Sequence, residues 1–249
     1  MPKLQGKVAV VSGASKGIGA AIAEQLANEG AAVIVNHSSS PEQADAVAAR
    51  IKAAGGKAKV VKADLSKPAE ARKLIETAVK EFGKLDILVN NAGVYEFHPL
   101  PEVTEEHYNR IFDLNVKGLL FATQAAVNAF GDNGGSIINI SSVASVGAIP
   151  NGSVYSATKA AVDSFTRTLA AELGPKKILV NSVLPGPVET EGTHAMEGFD
   201  QFAAQVVPQT PLGRVGKPHD IASVVSFLAS GDAAWITGQV IPVAGGLRG

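Results

Sequence analysis

Cysteine is absent from the 249-residue sequence. Disulfide bonds, iron–sulfur clusters and thiolate zinc sites are therefore excluded, and the chain is compatible with a reducing compartment. A chain of this length can bury about three quarters of its unfolded surface, so its core does not depend on cross-links. We expect packing alone to hold the fold.

Neither sign of charge is in excess, because 22 Lys and Arg residues stand against 23 Asp and Glu residues. Proteins that bind nucleic acid or membrane surfaces need a basic excess, so neither kind of partner is expected. No apolar run reaches the roughly 18 residues that cross a bilayer. The N-terminal residues also lack the apolar segment of a signal peptide. The sequence therefore predicts a cytoplasmic protein.

Histidine is sparse, and the five histidines do not follow the spacing of metal ligands. No cysteine is present to complete a site with them. The sequence therefore predicts no metal site. The histidines are His37, His98, His107, His194 and His219.

Aromatic residues make up only 5% of the chain, and short β-branched runs alternate with longer amphipathic segments. This alternation indicates βαβ units with right-handed crossovers and a parallel sheet that helices cover on both faces. No repeat, charge run or linker divides the chain, so we expect an α/β fold, a single doubly wound Rossmann domain over residues 1–249. Its seven strands are predicted at 7–11, 32–35, 59–61, 87–89, 137–140, 178–184 and 239–243. Its helices are predicted at 18–29, 41–54, 68–82, 104–115, 119–130, 154–173 and 220–229.

The longest stretch without regular periodicity runs from 185 to 218. Long irregular segments in compact domains are commonly lids or binding loops. We therefore expect a substrate loop at about 186–217.

A glycine-rich turn, Ser12-Gly13-Ala14-Ser15-Lys16-Gly17-Ile18-Gly19, follows the first predicted strand and opens the first predicted helix. Glycines let the backbone approach a pyrophosphate, and the helix N-terminus offers that group free N–H donors and positive potential. The turn lacks the Gly-Lys-Ser/Thr of a P-loop, and a plain tight turn between strand and helix is the alternative. The expected dinucleotide contacts are Gly13, Ser15, Lys16, Gly17, Ile18 and Gly19.

The end of the second predicted strand carries no acid where an Asp or Glu commonly holds the ribose of NAD. It reads Asn36-His37-Ser38-Ser39-Ser40, and an acid here would repel a 2′-phosphate. Asn36 and Ser38 can instead donate hydrogen bonds to that phosphate, and Lys16 adds positive charge. We therefore expect NADP(H) rather than NAD(H), with Asn36, His37 and Ser38 beside it. The serines can equally cap the helix that begins at Pro41.

Several motifs occur in one order along the chain: the glycine-rich turn, Asn90-Asn91-Ala92-Gly93, Asn115, Ser142, Tyr155-x-x-x-Lys159 and Pro185-Gly186. Together they resemble the short-chain dehydrogenase/reductase family over essentially the whole chain. The sequence is most similar to 3-oxoacyl-carrier-protein reductases and glucose-dehydrogenase-like members. The resemblance implies an oxidoreductase that transfers hydride between a nicotinamide cofactor and a carbonyl or alcohol. It also implies cofactor contacts at Asp64, Leu65, Asn91, Ala92, Gly93, Tyr155, Lys159, Pro185, Gly186, Val188 and Thr190, and catalytic roles for Asn115, Ser142, Tyr155 and Lys159.

Tyr155 and Lys159 lie four residues apart on a predicted helix, so they share a face. A free tyrosine has a pKa of about 10, and a nearby ammonium should lower the pKa of Tyr155 by favouring the phenolate. Without the other motifs, a surface contact between the two side chains would be the simpler interpretation. By resemblance, Tyr155 donates the proton, Ser142 steadies the substrate oxygen, and Lys159 binds the nicotinamide ribose. Asn115 would anchor a water that links Lys159 to solvent, or else bond its amide to the backbone.

The expected substrate pocket is largely apolar, and the expected reaction is reduction of a ketone or aldehyde to an alcohol. A 3-oxoacyl-carrier-protein reductase is an alternative, but the basic residues common in that group before the fifth strand are replaced here by residues 131–134, Gly-Asp-Asn-Gly. A catalytically idle NADP-binding sensor or scaffold is the alternative from another class. The pocket is expected to be lined by Tyr95, Phe97, Val143, Ile149 and the loop 191–207, which carries Met196, Phe199 and Phe202.

Members of this family are commonly tetramers, so we expect a homotetramer. The predicted helices at 119–130 and 154–173 would pack across a two-fold axis. Their alanine pairs, Ala125-Ala126 and Ala160-Ala161, would permit a close approach, unless these alanines pack against the sheet of their own chain.

Overall fold

Seven parallel strands form one sheet in the structure, a computed structural model that describes residues 2–194 and 199–247. The strands are β1 (Val8–Val11), β2 (Ala32–His37), β3 (Lys57–Lys62), β4 (Ile87–Asn90), β5 (Gly135–Ile140), β6 (Ile178–Pro185) and β7 (Val240–Val243). They lie in the order β3-β2-β1-β4-β5-β6-β7. The predicted doubly wound parallel sheet is therefore confirmed.

Helices connect the strands and cover both faces of the sheet. Within the described ranges they are α1 (Gly17–Asn28), α2 (Pro41–Ala53), α3 (Pro68–Phe82), α4 (Glu105–Phe112), α5 (Leu119–Ala129), α6 (Ser153–Leu173), α7 (Glu191–His194), α8 (Phe199–Val206) and α9 (Pro218–Ala229). In this part of the chain, no helix has the length and hydropathy that crossing a membrane requires.

Alternation along each strand divides the core into two layers. In β1, Ala9 and Val11 pack with α1, α2 and α9, whereas Val10 belongs to the layer that includes α3, α5 and α6. Val10 is in register with Ile34 on β2 and with Leu88 on β4. Because both faces are buried, these strands are apolar except at their carboxyl ends, where β2 carries Asn36 and His37 and β4 carries Asn90.

The carboxyl ends of the parallel strands meet at one edge of the sheet. The segments that leave β1, β4, β5 and β6 at this edge contain the glycine-rich turn, Asn91–Gly93, Ser142 and Gly186, respectively. Open α/β sheets bind their ligands at this edge. The topology thus gathers motifs that are far apart in sequence.

The helices predicted at 104–115 and 119–130 are joined rather than separate. A π-helical turn, Asp113–Gly118, connects α4 to α5. Gly118 packs so tightly that a Cβ there would lie 2.6 Å from the carbonyl oxygen of Leu65. The π turn buries Asn115, and such turns occur frequently at functional sites.

The segment 185–218 is less irregular than predicted, because it contains α7 and α8. The apolar residues of α8 recur at helical spacing in the sequence, at 199, 202, 203 and 206. That periodicity was the signal for a short helix within the expected substrate loop.

The alanines expected at a subunit interface differ in their environments. Ala126 is fully buried in the core layer of α3 and α5, so it follows the alternative in which alanine packs within its own chain. Ala160 on α6 is exposed.

A network of hydrogen bonds between buried amides and hydroxyls lies at the centre of the fold. The Asn90 amide donates to the Asn139 side-chain oxygen at 2.9 Å, and the Asn139 amide donates to the Thr166 hydroxyl at 2.9 Å. Asn139 and Thr166 are fully buried. The network therefore joins β4, β5 and α6 where water cannot replace a lost partner.

Replacing Asn139 by alanine should destabilise the protein, because it removes both hydrogen bonds and leaves a cavity. We expect the free energy of unfolding to fall by about 2 kcal/mol, measured by urea denaturation. Asn128→Ala, an exposed site on α5, is the matched control and should change stability by less than about 0.5 kcal/mol. Equal stability of the two variants would contradict a structural role for the network.

Candidate active site

The glycine-rich turn brings the chain from β1 to the N-terminus of α1 in close contact with its neighbours. Gly13 has φ +61°, and a Cβ there would lie 2.9 Å from the Cα of Ala92. A Cβ on Gly19 would lie 2.4 Å from the carbonyl oxygen of Gly13. Only glycine fits both positions, and the turn keeps an open backbone surface at the start of α1.

A carboxylate lies at the N-terminus of α1. The Gly17 N–H donates to the Glu191 carboxylate at 3.0 Å, and the N-cap residue, Lys16, makes no side-chain cap. A helix N-terminus attracts anions through its free N–H groups and its dipole. Glu191 therefore occupies an anion position that the sequence had assigned to a phosphate.

Glu191 was predicted only as the first residue of the loop expected to line the substrate pocket, not as a group at the glycine-rich turn. It directly follows Thr190, a residue predicted to contact the cofactor, and that adjacency was the available signal. Thr190 itself lies against the turn, since its Cγ2 is 3.3 Å from where a Cβ of Gly17 would be. Thr190 and Thr193 hydrogen-bond each other through backbone and hydroxyl groups, which fixes the start of α7.

Asn36 supports the turn rather than facing a ligand. It is 1% exposed; its side-chain oxygen accepts from the Gly13 N–H at 3.0 Å, and its amide donates to backbone carbonyls, among them that of Ala63 at 3.1 Å. The expectation that Asn36 donates to a 2′-phosphate is therefore wrong, because its polar atoms are already engaged. His37 is buried as well, whereas Ser38 and Lys16 are exposed.

The turn after β4 is tied to the glycine-rich turn. The Ser12 hydroxyl accepts from the N–H groups of Asn91 and Ala92, each at 2.9 Å. The Asn91 amide donates to the carbonyls of Ser12 and Gly13. Ser12 belongs to the glycine-rich motif, but the sequence predicts no role for its hydroxyl. In the structure, the Ser12 hydroxyl connects the glycine-rich turn to the turn after β4.

Gly93 connects these turns to the catalytic residues predicted from the sequence. A Cβ on Gly93 would lie 3.1 Å from the side-chain oxygen of Asn115 and 3.7 Å from the Lys159 Nζ. The backbone therefore passes directly over the ammonium group.

Ser142, Tyr155 and Lys159 meet beyond the carboxyl end of β5. The Lys159 Nζ lies 5.6 Å from the centroid of the Tyr155 ring and donates to the carbonyl of Ile140 at 2.9 Å. The Ser142 hydroxyl lies near the Tyr155 hydroxyl and favours its ionised form. The neighbouring Ser141 is buried and bonds the carbonyl of Lys159, so it is not the serine that meets Tyr155.

Burial controls the proton affinities of this pair. It raises the pKa of Tyr155 and outweighs the hydrogen bond from Ser142, which lowers it. Burial also lowers the pKa of Lys159 to about 8, although the carboxylate of Asp163 acts in the opposite direction. Burial therefore prevails, and the net pKa of Tyr155 is raised rather than lowered as expected from the neighbouring ammonium alone. At neutral pH the phenol is protonated and can donate.

The side-chain amide of Asn115 bonds the backbone, which is the second of the two roles predicted for it. Its oxygen accepts from the Val94 N–H at 2.9 Å, and its amide donates to the Val94 carbonyl at 2.8 Å and to the Thr158 hydroxyl at 3.2 Å. Thr158 in turn donates to the carbonyl of Tyr155. Asn115 thus holds the segment after β4 against α6.

The segment after β3 forms a locally bonded turn. The Asp64 carboxylate accepts from the N–H and hydroxyl of Ser66 and pairs with Lys67 at 3.4 Å. Burial alone would raise the pKa of Asp64, but these partners lower it. Leu65 is 3% exposed and packs in the core.

The segment after β6 packs against the end of the sheet. A Cβ on Gly186 would lie 2.7 Å from the Cβ of Ala244, so glycine is required next to Pro185. Val188 is buried and forms a bridge with Gly216. These contacts lead the chain from β6 to Thr190 at the glycine-rich turn.

Two aromatic rings stand beside Tyr155. The centroids of Tyr95 and Phe97 lie 6.5 and 5.8 Å from that of Tyr155, both in edge-on geometry. Tyr95 and Phe97 are 41% and 39% exposed, so they offer an accessible apolar surface next to the phenol. Val143 starts a short 3₁₀ turn, Ile149 and Phe202 are partly exposed, and Met196 lies outside the described residues.

Comparison with known proteins identifies relatives over the whole chain. Residues 13–248 match a protein-family model described as enoyl-(acyl carrier protein) reductase. An uncharacterised oxidoreductase of Methylorubrum extorquens is 60% identical over 100% of both chains. The versicolorin reductase of Emericella nidulans is 42% identical over 98% of this chain and 96% of its own.

Solved structures agree with this relationship. The short-chain dehydrogenase/reductase from Serratia marcescens superposes with a TM-score of 0.94 at 40% identity, over 99% of this chain and 100% of that one. A blue fluorescent protein from a metagenomic library, solved in complex with NADPH, gives a TM-score of 0.93 at 38% identity over the same shares of the two chains. The chain belongs to the short-chain dehydrogenase/reductase family, whose members bind a nicotinamide cofactor.

Proposed function

We propose that this protein is an NADP(H)-dependent reductase that converts a ketone to an alcohol. The observation that carries the proposal is the meeting of Ser142, Tyr155 and Lys159 at the edge of the sheet, beside the glycine-rich turn. A non-catalytic sensor or scaffold would not need a protonated phenol held between a hydroxyl and an ammonium. We also propose that residues 1–249 form a single domain.

The residues around the turn fit a dinucleotide. Gly13 and Gly19 leave no room for side chains, so a pyrophosphate can approach the backbone closely. The N–H of Gly17 already bonds an anionic group, the carboxylate of Glu191. Beyond these, Ser15, Ile18, Asn91 to Gly93 and the segment from Pro185 to Thr190 would hold the dinucleotide along the edge.

Three features favour a cofactor that carries a 2′-phosphate. Residues 36–40 contain no acid that would repel it. Ser38 and Lys16 are exposed and can supply a hydroxyl and a positive charge. The structural neighbour solved with NADPH adds support from a relative.

A nicotinamide dinucleotide held along this edge would supply the hydride. Tyr155, which is protonated at neutral pH, donates its proton to the substrate oxygen as charge develops there. Ser142 holds the same oxygen with its hydroxyl and orients it toward the phenol. The ammonium of Lys159 stabilises the phenolate that remains, since the two groups lie in a buried, weakly screened environment.

The wall beside Tyr155 suits a flat, apolar ketone. Tyr95 and Phe97 present their rings to the position where a substrate must lie to reach the phenol. Aromatic rings bind planar substrates by stacked or edge-on contacts. A relative from Emericella nidulans is named as a versicolorin reductase, and that name supports a reductive role. We therefore propose aromatic or polycyclic ketones as the substrate class.

The assembly we propose is a homotetramer in the cytoplasm, in which α6 faces a neighbouring subunit. The exposed Ala160 on this helix permits a close approach. Its neighbour on the next turn, Ser164, is exposed as well.

The activity is tested by following NADPH absorbance with a panel of aryl ketones, acetoacetyl thioesters, steroids and sugars. We expect NADPH consumption with aryl ketones and a higher rate with NADPH than with NADH at equal concentration. Tyr155→Phe removes the proton donor but preserves the ring, so kcat should fall by at least about 100-fold.

The matched control is Tyr108→Phe, which removes the same hydroxyl from an exposed tyrosine on α4 and should retain full activity. Full activity of Tyr155→Phe would remove the assigned proton donor. A preference for NADH would contradict our interpretation of residues 36–40, and turnover restricted to acyl thioesters would favour a carrier-protein reductase instead.

The contact between Glu191 and Gly17 predicts competition with the cofactor. The carboxylate must leave the helix N-terminus before a phosphate can bind there, and a glutamine makes a weaker, neutral hydrogen bond. Glu191→Gln should therefore lower the Kd for NADPH by about fivefold, measured by fluorescence titration of the protein without substrate.

Asp200→Asn is the matched control, because Asp200 is an exposed acid on α8 in the same loop. It should leave the Kd for NADPH unchanged. Weaker NADPH binding by the Glu191→Gln variant would mean that the carboxylate assists the cofactor rather than competing with it.

A further inference from the structure

The segment after β4 sends alternate side chains to two different places. Tyr95 and Phe97 contact the ring of Tyr155, whereas Glu96 and His98 meet His107 on α4. Such alternation is expected of extended backbone. One short segment thus lines the proposed substrate wall on one side and contributes to a second cluster on the other.

The second cluster brings together groups that commonly bind metal ions. One ligand atom from each of Glu96, His98 and His107 lies within 4.8 Å of the others. The two imidazole rings have centroids 4.3 Å apart. In a tetrahedral zinc site, bonds of about 2.0–2.2 Å place neighbouring ligand atoms roughly 3.3–3.6 Å apart. Small side-chain rotations would bring these three into that range.

His107 is the observation that points to a ligand. It is 8% exposed, and neither of its ring nitrogens has a hydrogen-bond partner. A neutral imidazole carries one donor and one acceptor, so both are left unpaired where water has little access. Buried polar groups without a partner are rare, because each costs about 1–3 kcal/mol. A metal ion bound to one nitrogen would remove part of that cost.

We propose that Glu96, His98 and His107 form a zinc site. Two imidazoles and a carboxylate suit Zn²⁺ among the abundant divalent ions, and three protein ligands leave a fourth position for water. The spacing of the histidines in the sequence predicted no metal, because the cluster forms only when α4 packs against the segment after β4.

Two contacts already prepare the site. The backbone N–H of His98 donates to the carbonyl of Asn151 at 2.9 Å, which fixes that segment. The N–H of His107 donates to the hydroxyl of Thr104 at 3.1 Å, which caps α4. Both imidazoles are therefore carried by anchored backbone.

Arg110 is the competitor for the carboxylate. Its guanidinium pairs with one oxygen of Glu96 at 2.8 Å, and its side chain is 64% exposed. A carboxylate has a second oxygen for the metal, and an exposed ion pair contributes little stability. Zinc binding therefore does not have to break a buried ion pair.

Zinc at this position would join the 95–98 segment to α4. Tyr95 and Phe97 belong to that segment, so the ion would restrict the wall beside Tyr155. The site would therefore act as a structural clamp on substrate binding and take no part in proton transfer.

The test uses the full chain, free of any purification tag and treated with a chelator. Zinc chloride is titrated calorimetrically, and bound zinc is counted by mass spectrometry after gel filtration. We expect one zinc per chain and a rise in Tm on zinc addition, since the ion binds only the folded chain. His98→Ala and Glu96→Gln should each weaken zinc binding at least about 10-fold and abolish the rise in Tm.

His219→Ala is the matched control, because it removes an exposed histidine far along the chain from the cluster and should bind zinc like the wild type. His107→Ala should also lose zinc, and circular dichroism checks its fold because this residue is buried. Absence of stoichiometric zinc in the wild type would overturn the proposal. So would unchanged binding by both His98→Ala and Glu96→Gln. These measurements do not depend on catalysis, so they can fail while the reductase assay succeeds.

Discussion

The site depends on the burial of the Lys159 ammonium beside Tyr155. Lys159 is 7% exposed, bonds the carbonyl of Ile140 and lies beside the ring of Tyr155. Burial without a full counter-charge lowers its pKa to about 8, so the folded protein holds the charged form at a cost. Proteins accept such costs where function requires them. The same burial keeps Tyr155 protonated, and together they form a proton donor with a cation ready to stabilise its conjugate base.

Much of the surrounding fold serves to hold backbone around that charge. Gly93 passes over the ammonium, Asn115 fixes the next residue of the chain, and the hydroxyl of Ser12 ties the same turn to the glycine-rich turn. A displacement at one of these positions would therefore be felt at the others. The proposed cofactor contacts and the proposed proton donor share one hydrogen-bonded frame, which explains why the motifs occur together in the sequence.

Features that depend on residues close together in the sequence could be predicted from the sequence. The glycine-rich turn, the shared helical face of Tyr155 and Lys159 and the parallel sheet were all accessible from spacing and periodicity. Contacts made only in the folded chain could not be predicted from spacing. Glu191 accepts from the Gly17 N–H although it lies far along the sequence, and the side chain of Asn36 bonds backbone groups. The pKa of Tyr155 could not be predicted because its burial depends on side chains brought from other segments. The cluster of Glu96, His98 and His107 likewise exists only after α4 packs.

The buried charge can be measured directly through its linkage to folding. Lys159→Met preserves the length of the side chain and removes the charge, so the difference in unfolding free energy between wild type and variant isolates the ammonium. Because the pKa of Lys159 is depressed, the unfolded chain binds the proton more tightly. The wild type should therefore gain stability relative to the variant, by up to about 1.4 kcal/mol per pH unit, as pH rises from about 8 toward the unfolded value near 10.5. Parallel stability curves over that range would contradict the account.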